Sequence, residues 1–155
     1  MQKEFMREAI RLSFLKMRSN RGGPFGAVVV HEKKIIARGW NQVTSQNDPT
    51  AHAEIMAIRA ACRKLKTFRL DECEIYTSCE PCPMCLAAIY WARLRKIYYG
   101  NTRRDAAQIE FDDEMINREL AKPGSRRKIP MEQVLRKEAV RVFNAWELKG
   151  DKVVY

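Results

Sequence analysis

Apolar positions along the chain follow two patterns, one typical of helices and one typical of strands. Apolar residues recur among charged ones at near-helical spacing in five predicted helices: 3–18, 51–65, 83–93, 112–120 and 137–148. Short apolar runs predict five strands: 27–30, 35–37, 73–78, 96–99 and 129–135. Because helices alternate with strands, we expect crossover connections and one α/β domain over 1–155. Its predicted fold is a three-layer α/β/α sandwich with a five-stranded mixed sheet.

Composition narrows the class of protein. The chain has 155 residues, of which 46% are hydrophobic, so the bulk of it can bury a core and disorder is excluded. No uncharged apolar run reaches the ~18 residues that a membrane span needs. The first twenty residues are charged throughout and lack the pattern of a secretory signal, so we expect a cytoplasmic protein. Three of the five cysteines fall within 79–85, which favours metal binding or catalysis over disulfides.

The net charge of +10 is unevenly distributed. Residues 1–38 hold nine basic and three acidic side chains, and residues 118–141 hold eight and three. The middle, 39–117, has ten basic against eleven acidic side chains. The excess therefore flanks the segment that carries the candidate chemistry. Solvated helix faces explain this pattern, and a phosphate-binding surface is the alternative.

Two segments carry candidate chemistry, TAHAE at 50–54 and SCEPCPMC at 78–85. His52 and Glu54 fall in the opening turn of one predicted helix, where both side chains can reach a pocket in front of the helix end. Cys82 and Cys85 are three residues apart at the start of another helix, so their sulfurs share one face. A helix N-terminus favours negative charge and lowers cysteine pKa values, which suits two thiolates.

His52, Cys82 and Cys85 together form a ligand set that suits zinc with one position left open for water. Zinc lowers the pKa of such a water toward ~7 and so yields hydroxide at neutral pH. Glu54 is then not a ligand but the group that moves a proton from the water to a ring nitrogen and a departing amine. The spacing H-x-E…P-C-x-x-C is the signature of zinc deaminases that act on nucleobases.

Other interpretations of the same residues remain open from the sequence. A C-x-x-C pair alone also fits a redox pair or a structural half-site. If Cys79 were a fourth ligand, the zinc would be structural and the open position would disappear. A thermolysin-type zinc protease is excluded, because the position four after His52 is Met56.

The sequence resembles the cytidine-deaminase superfamily on TAHAE and PCPMC. Within it, the chain is similar to the small bacterial zinc-dependent guanine deaminases over about 22–155. That narrower resemblance depends on GGPFGAVVV, NDPTAHAEIMAIR, YTSCEPCPMCLAAIYWAR, the run from DAA to FDD at 105–113, and the final Tyr155. The zinc motif is not specific below the superfamily. The FDD run and Tyr155 are the features that favour guanine.

The resemblance implies a cytidine-deaminase-like fold and a hydrolase of purine catabolism that converts guanine to xanthine and ammonia. It implies one Zn²⁺ per subunit on His52, Cys82 and Cys85, with Glu54 transferring protons and Asp113 as a second acidic group beside the base. It further implies a set of substrate-binding residues: Phe25, Asn41, Ala53, Trp91 and Tyr155. The partner it implies is a second copy of the chain, a homodimer in which the tail 150–155 is exchanged and Tyr155 closes the other subunit's site.

Two competing functions are kept. A tRNA-specific adenosine deaminase with the same zinc-hydroxide mechanism shares NDPTAHAE and P-C-x-x-C. Against it, a tail that covers the site would block a tRNA loop, and the basic excess lies outside the middle of the chain. We therefore expect the substrate to be a small purine base. Nucleic acid remains open as an alternative partner, and we expect no membrane partner. The third candidate is a zinc-stabilised binding module without catalysis.

Overall fold

A computed structural model describes residues 3–155. These residues pack as two compact units, of which the first ends at Glu114 and the second covers 115–155. The single domain expected over 1–155 stays a prediction. Nowhere in 3–155 does a helix have the length and apolar content needed to cross a membrane.

The first unit is built on a mixed sheet of four strands: β1 Gly26–His31, β2 Lys34–Trp40, β3 Cys73–Cys79 and β4 Lys96–Asn101. Their order across the sheet is β2-β1-β3-β4. Strand β1 runs antiparallel to β2 and β3, whereas β3 and β4 are parallel. The sheet therefore combines the antiparallel β1–β2 hairpin with the parallel pair β3 and β4, so it is a mixed sheet as predicted.

Five helices accompany this sheet: α1 Lys3–Arg18, α2 Val43–Gln46, α3 Ala53–Leu65, α4 Pro83–Trp91 and α5 Arg103–Ala107. The short helices α2 and α5 lie outside the helices and strands that the sequence predicts. Helix α6, Glu114–Ala121, begins at the last residue of the first unit. The second unit continues with a 3-10 turn, Gly124–Arg126, and α7, Arg136–Leu148.

Alternate residues of the strands pack against helices on opposite faces of the sheet, as the two-residue period of a strand requires. On one face, α1 contributes to an apolar cluster: Phe5, Leu12, Val28, Val30 and Tyr76. On the other face, α3 and α4 bury a larger cluster that includes Ala27, Val29, Ile75, Ala57 and Ile89. Helices on both faces confirm the three-layer α/β/α arrangement within the first unit.

A close contact between β2 and α3 fixes where the second helix layer begins. A Cβ atom on Gly39 would lie 2.1 Å from the backbone oxygen of Ala53 and 2.5 Å from the backbone nitrogen of Ala57. Any side chain at Gly39 would therefore push the first turn of α3 away from the sheet. That turn carries Glu54 and follows His52, so this contact sets the depth of the candidate site.

The five-stranded sheet expected from the sequence is wrong in its fifth strand. The segment 129–135 forms no strand, and its apolar residues are exposed. Pro130 has no N–H to donate to a sheet, and Leu135 has a left-handed φ of 52° where α7 begins. The apolar run was sufficient for a strand prediction, but its backbone is unsuited to pairing.

Candidate metal centre and active site

Three side chains converge at the N-terminal ends of α3 and α4. His52 is the N-cap residue of α3, Cys82 is the N-cap residue of α4, and Cys85 lies in the first turn of α4. The Nδ1 atom of His52 lies 3.5 Å from the Sγ atom of each cysteine. All three candidate ligand atoms lie within 4.8 Å of one another.

This geometry fits a tetrahedral zinc ion. Zn–N bonds of about 2.0–2.1 Å and Zn–S bonds of about 2.3 Å place nitrogen and sulfur ligands about 3.6 Å apart at tetrahedral angles. The observed N–S distances of 3.5 Å agree with that value. One imidazole and two thiol groups are also the ligand types that zinc prefers. His52, Cys82 and Cys85 can therefore hold the ion without rearrangement of the two helices.

The electrostatics of the two cysteines favour a thiolate. Cys82 and Cys85 share a hydrogen bond, which together with His52 lowers the pKa of Cys82 to about 4. The same shared proton and burial raise the pKa of Cys85. A hydrogen bond with Cys82 raises the pKa of His52. Both cysteines sit at the positive end of the α4 dipole, so a cation that displaces their proton meets a site already disposed toward negative sulfur.

Glu54 lies beside this group but outside it. Its side chain is buried at 6% exposure, and burial raises the pKa of its carboxyl group. One oxygen, Oε1, accepts a hydrogen bond of 3.1 Å from the Thr77 hydroxyl. The other, Oε2, accepts one of 3.4 Å from the Cys85 thiol. A buried carboxyl with a raised pKa, next to a metal site, is suited to take and return a proton.

Cys79, the possible fourth ligand, is engaged elsewhere. Its thiol donates a hydrogen bond of 3.6 Å to the backbone oxygen of Thr102, and burial raises its pKa to about 11. Among residues 3–155, the group of candidate ligand atoms around His52 does not include this sulfur. The described chain therefore supplies three ligands, which leaves a tetrahedral ion with an open position.

Asn41 follows β2 and is 6% exposed. Its Oδ1 atom accepts hydrogen bonds of 3.2 Å from the backbone N–H groups of Gly23 and Val43. These two bonds fix the orientation of the amide, so its Nδ2 group is the end available for donating to another molecule. The sequence singles out this residue, but only the fold shows which end of the amide is held.

Phe25 and Asp113 belong to neighbouring parts of the first unit. The ring of Phe25 packs edge-on against Phe111, with centroids 4.9 Å apart and an interplanar angle of 87°. Burial raises the pKa of Asp113, and the negative charge of Cys82 raises it further. Asp113 is therefore close enough to the metal site to sense it electrostatically. Phe111 stands in the FDD run, but the sequence alone indicates no separate role for it.

The remaining predicted substrate residues lie in different settings. Ala53 is fully buried beside His52. Trp91 is 68% exposed at the last residue of α4, about 12 Å along the helix axis from its first residue. Tyr155 is 71% exposed and belongs to the second unit. Contact of Ala53, Trp91 and Tyr155 with a substrate stays a prediction.

Comparison with known families agrees with this geometry. The family model of the cytidine and deoxycytidylate deaminase zinc-binding region matches residues 1–101. That span contains all three candidate ligands and Glu54. The chain therefore belongs to this family of zinc-dependent deaminases, and zinc is its metal.

Within the family, the chain is similar to guanine deaminases over nearly its whole length. It is 49% identical to guanine deaminase of Bacillus subtilis strain 168 over 151 residues, which cover 97% of each chain. A crystal structure of guanine deaminase from Bacillus subtilis superposes with a TM-score of 0.97 at 48% identity, covering 100% of this chain and 99% of that one. A guanine deaminase from Nitrosomonas europaea gives a TM-score of 0.68 at 33% identity, covering 73% and 65%. By contrast, the tRNA-specific adenosine deaminase of Buchnera aphidicola is 44% identical over only 57% of this chain and 58% of its own.

Proposed function

We propose that this chain is a zinc-dependent hydrolase that converts the free base guanine to xanthine and ammonia. The observation that carries the proposal is the group of His52, Cys82 and Cys85 at zinc-ligand distances, with the buried Glu54 carboxyl beside it. Similarity to guanine deaminases over almost the full length supports guanine as the substrate.

The chemistry follows from where each group lies. Zinc bound by His52, Cys82 and Cys85 supplies a Lewis acid that makes a water molecule reactive near neutral pH. Glu54 accepts a proton as the water oxygen bonds to the carbon that bears the exocyclic amine, and delivers that proton to the adjacent ring nitrogen. It then carries the second water proton to the amine, the carbon–nitrogen bond breaks, and ammonia leaves. Water and guanine thus balance xanthine and ammonia.

Recognition of guanine requires partners for its polar edges. The fixed amide of Asn41 presents N–H donors to acceptor atoms on the base. The carboxylate of Asp113 can accept from the ring N–H and the exocyclic amine, two adjacent donors that cytosine and adenine do not present together. The Phe25 ring, supported by Phe111, offers a flat apolar surface. Aromatic stacking on a base contributes about 1–3 kcal/mol in nucleic-acid systems. A site with such polar partners rejects bases that leave them unpaired.

The working form is a homodimer that exchanges the tail 150–155, so that Tyr155 of one subunit closes the site of the other. This part of the proposal is supported by the exposure of the tail tip, where Val153, Val154 and Tyr155 are 61%, 73% and 71% exposed. Apolar residues on α7 are also exposed, such as Phe143 at 76%, which is typical of a surface that a partner chain buries. Light scattering of the purified protein should give twice the chain mass. A chain that stays monomeric while fully active would contradict the exchange.

We place the reaction in purine catabolism in the cytoplasm.

An assay with a panel of substrates tests the function. Zinc-loaded protein should release ammonia from free guanine, and the product should have the ultraviolet spectrum of xanthine. The panel also contains four alternative substrates, each assayed separately: adenine, cytosine, guanosine and an anticodon stem-loop. Turnover of the stem-loop without turnover of guanine would transfer the assignment to a tRNA adenosine deaminase. Tight zinc binding with no turnover of any member would favour the binding module.

A further inference from the structure

Thr77 is a hydroxyl-bearing residue on an apolar face of the sheet. Strand alternation puts it on the same face as Ile75, where the α3 and α4 cluster packs. It is 1% exposed and lies between Ala27 of β1 and Tyr99 of β4 in the strand register. A valine would fill the same shape there. A buried hydroxyl without a partner costs about 1–3 kcal/mol, so Thr77 needs an acceptor on this face, and Glu54 Oε1 is that acceptor.

The two oxygens of the Glu54 carboxyl are held from different elements. Thr77 on β3 donates to Oε1 at 3.1 Å, and Cys85 on α4 donates to Oε2 at 3.4 Å. Once Cys85 binds a metal as a thiolate, its sulfur has no proton to donate. The hydrogen bond from Thr77 involves no metal ligand, and neither does the one that the carboxyl accepts from the backbone N–H of Glu54 itself. Of these two donors, only the Thr77 hydroxyl lies on the sheet, so it is the contact that ties Oε1 to β3.

We propose that Thr77 is a positioning residue for the proton-transferring carboxyl of Glu54. Its hydroxyl holds Oε1 against β3 and thereby presents Oε2 to the reacting water and the base. This role depends on the proposed deaminase function for its kinetic consequence, but the orientation of the carboxyl does not. A small misplacement of a reacting group slows the chemical step by up to about 10²-fold. The step affected is turnover, not the binding of guanine.

Three variants isolate the hydroxyl. Thr77→Val keeps the branched shape and removes the donor, whereas Thr77→Ser keeps the donor and removes a methyl group. Ser78→Ala is the matched control, because Ser78 is the next residue of β3, is 4% exposed, and accepts from the Gly26 N–H at 3.0 Å. It removes a buried hydroxyl of similar size from the other face of the same strand. Zinc content, thermal unfolding, kcat and KM are measured for each.

Thr77→Val should lower kcat by about 10- to 100-fold, with zinc content unchanged and little change in KM. Thr77→Ser should keep kcat near that of the parent protein, and Ser78→Ala should reduce unfolding temperature without reducing kcat. If Thr77→Val does not fold, Thr77→Ala removes the same donor in a smaller side chain. A kcat for the donor-free variant equal to the parent's, or a loss that Thr77→Ser shares, would overturn the role.

A crystal structure of zinc-loaded Thr77→Val gives a readout that does not depend on turnover. We expect the Glu54 carboxyl to rotate or to occupy more than one orientation, while His52, Cys82 and Cys85 keep their places. An unchanged carboxyl would refute positioning by Thr77. If the parent protein does not deaminate guanine, the proposed function fails, and the carboxyl orientation still decides the role of Thr77.

Discussion

Replacement of Glu54 by glutamine tests the division of labour in the site. The variant Glu54→Gln keeps an oxygen that can accept from the Thr77 hydroxyl at the position now 3.1 Å away. It puts an amide nitrogen where Oε2 now lies 3.4 Å from the Cys85 sulfur, and that nitrogen can donate to a thiolate. The local packing and the metal group are therefore expected to survive the change.

What the amide cannot do is accept a proton from water and return it to the base. Removal of a positioned acid–base group costs about 10²–10⁴-fold in rate, which corresponds to about 3–5 kcal/mol in the barrier. Because Glu54 relays two protons in the proposed reaction, we expect the loss to lie at the upper end of that range. Ammonia release from guanine under saturating substrate measures kcat, and metal analysis of the same sample measures zinc.

Glu54→Asp is the matched control, since it keeps the carboxyl but draws it back by one methylene group. It should recover part of the lost rate only if proton transfer is the function of residue 54. Full activity in Glu54→Gln would refute the reasoning. Loss of zinc together with activity would show that Glu54 supports the metal group instead of the proton transfer.

Three further changes test separate parts of the structure. Glu8→Gln removes a carboxyl whose pKa is lowered from 4.5 to about 2 by hydrogen bonds with Arg11 and Arg38. Because the folded-state pKa is the lower one, its stabilisation is complete above about pH 4.5 and is lost as the pH falls toward 2. In urea unfolding at pH 7, the free energy of unfolding of the variant should be lower than that of the parent by at most about 3 kcal/mol, which screening at the half-exposed arginines reduces to about 1 kcal/mol. This difference should nearly vanish at pH 2, and an equal difference at both pH values would contradict the reasoning. Asn41→Asp keeps acceptors for both backbone N–H groups but removes the Nδ2 donor, so KM for guanine should rise about tenfold or more, and an unchanged KM would exclude Asn41 from the base. Removal of residues 150–155 should reduce guanine turnover without loss of zinc, and unchanged kinetics would exclude the closing role of Tyr155.

The sequence predicted the parts of the site that depend on local chain geometry. His52 and Cys82 are both N-cap residues in the structure, close to the helix starts that periodicity and Pro83 indicate. Because both helices start after strands or turns of one sheet, their N-terminal residues are expected to face a shared pocket. The ligand types and their spacing then indicate a zinc site, and the structure adds that Cys79 lies outside the group of candidate ligand atoms.

Contacts between distant segments were beyond sequence reasoning. Thr77 stands 23 residues from Glu54, in a strand where its pattern resembles that of any buried β-branched residue. The orientation of the Asn41 amide depends on the backbone of Gly23, 18 residues earlier. Phe111 likewise meets Phe25 only through the fold. Each of these contacts joins segments that are brought together only when the sheet packs with α3 and with the loops around it. Hydrophobic periodicity does not encode such contacts.

The position of the family match along the chain separates chemistry from selectivity. Residues 1–101 match the deaminase family model and hold the three ligands, Glu54 and Thr77. The residues that the proposal assigns to guanine in particular, Asp113 and Tyr155, come after that span. Within the zinc deaminases, one metal site and one glutamate act on the amine-bearing carbon of different bases, whereas each base needs its own hydrogen-bond partners. On the proposed roles, selectivity for guanine depends in part on Asp113 and Tyr155 in the C-terminal third of the chain, whereas the chemical step depends on the two helix ends and the buried Glu54 carboxyl within 1–101.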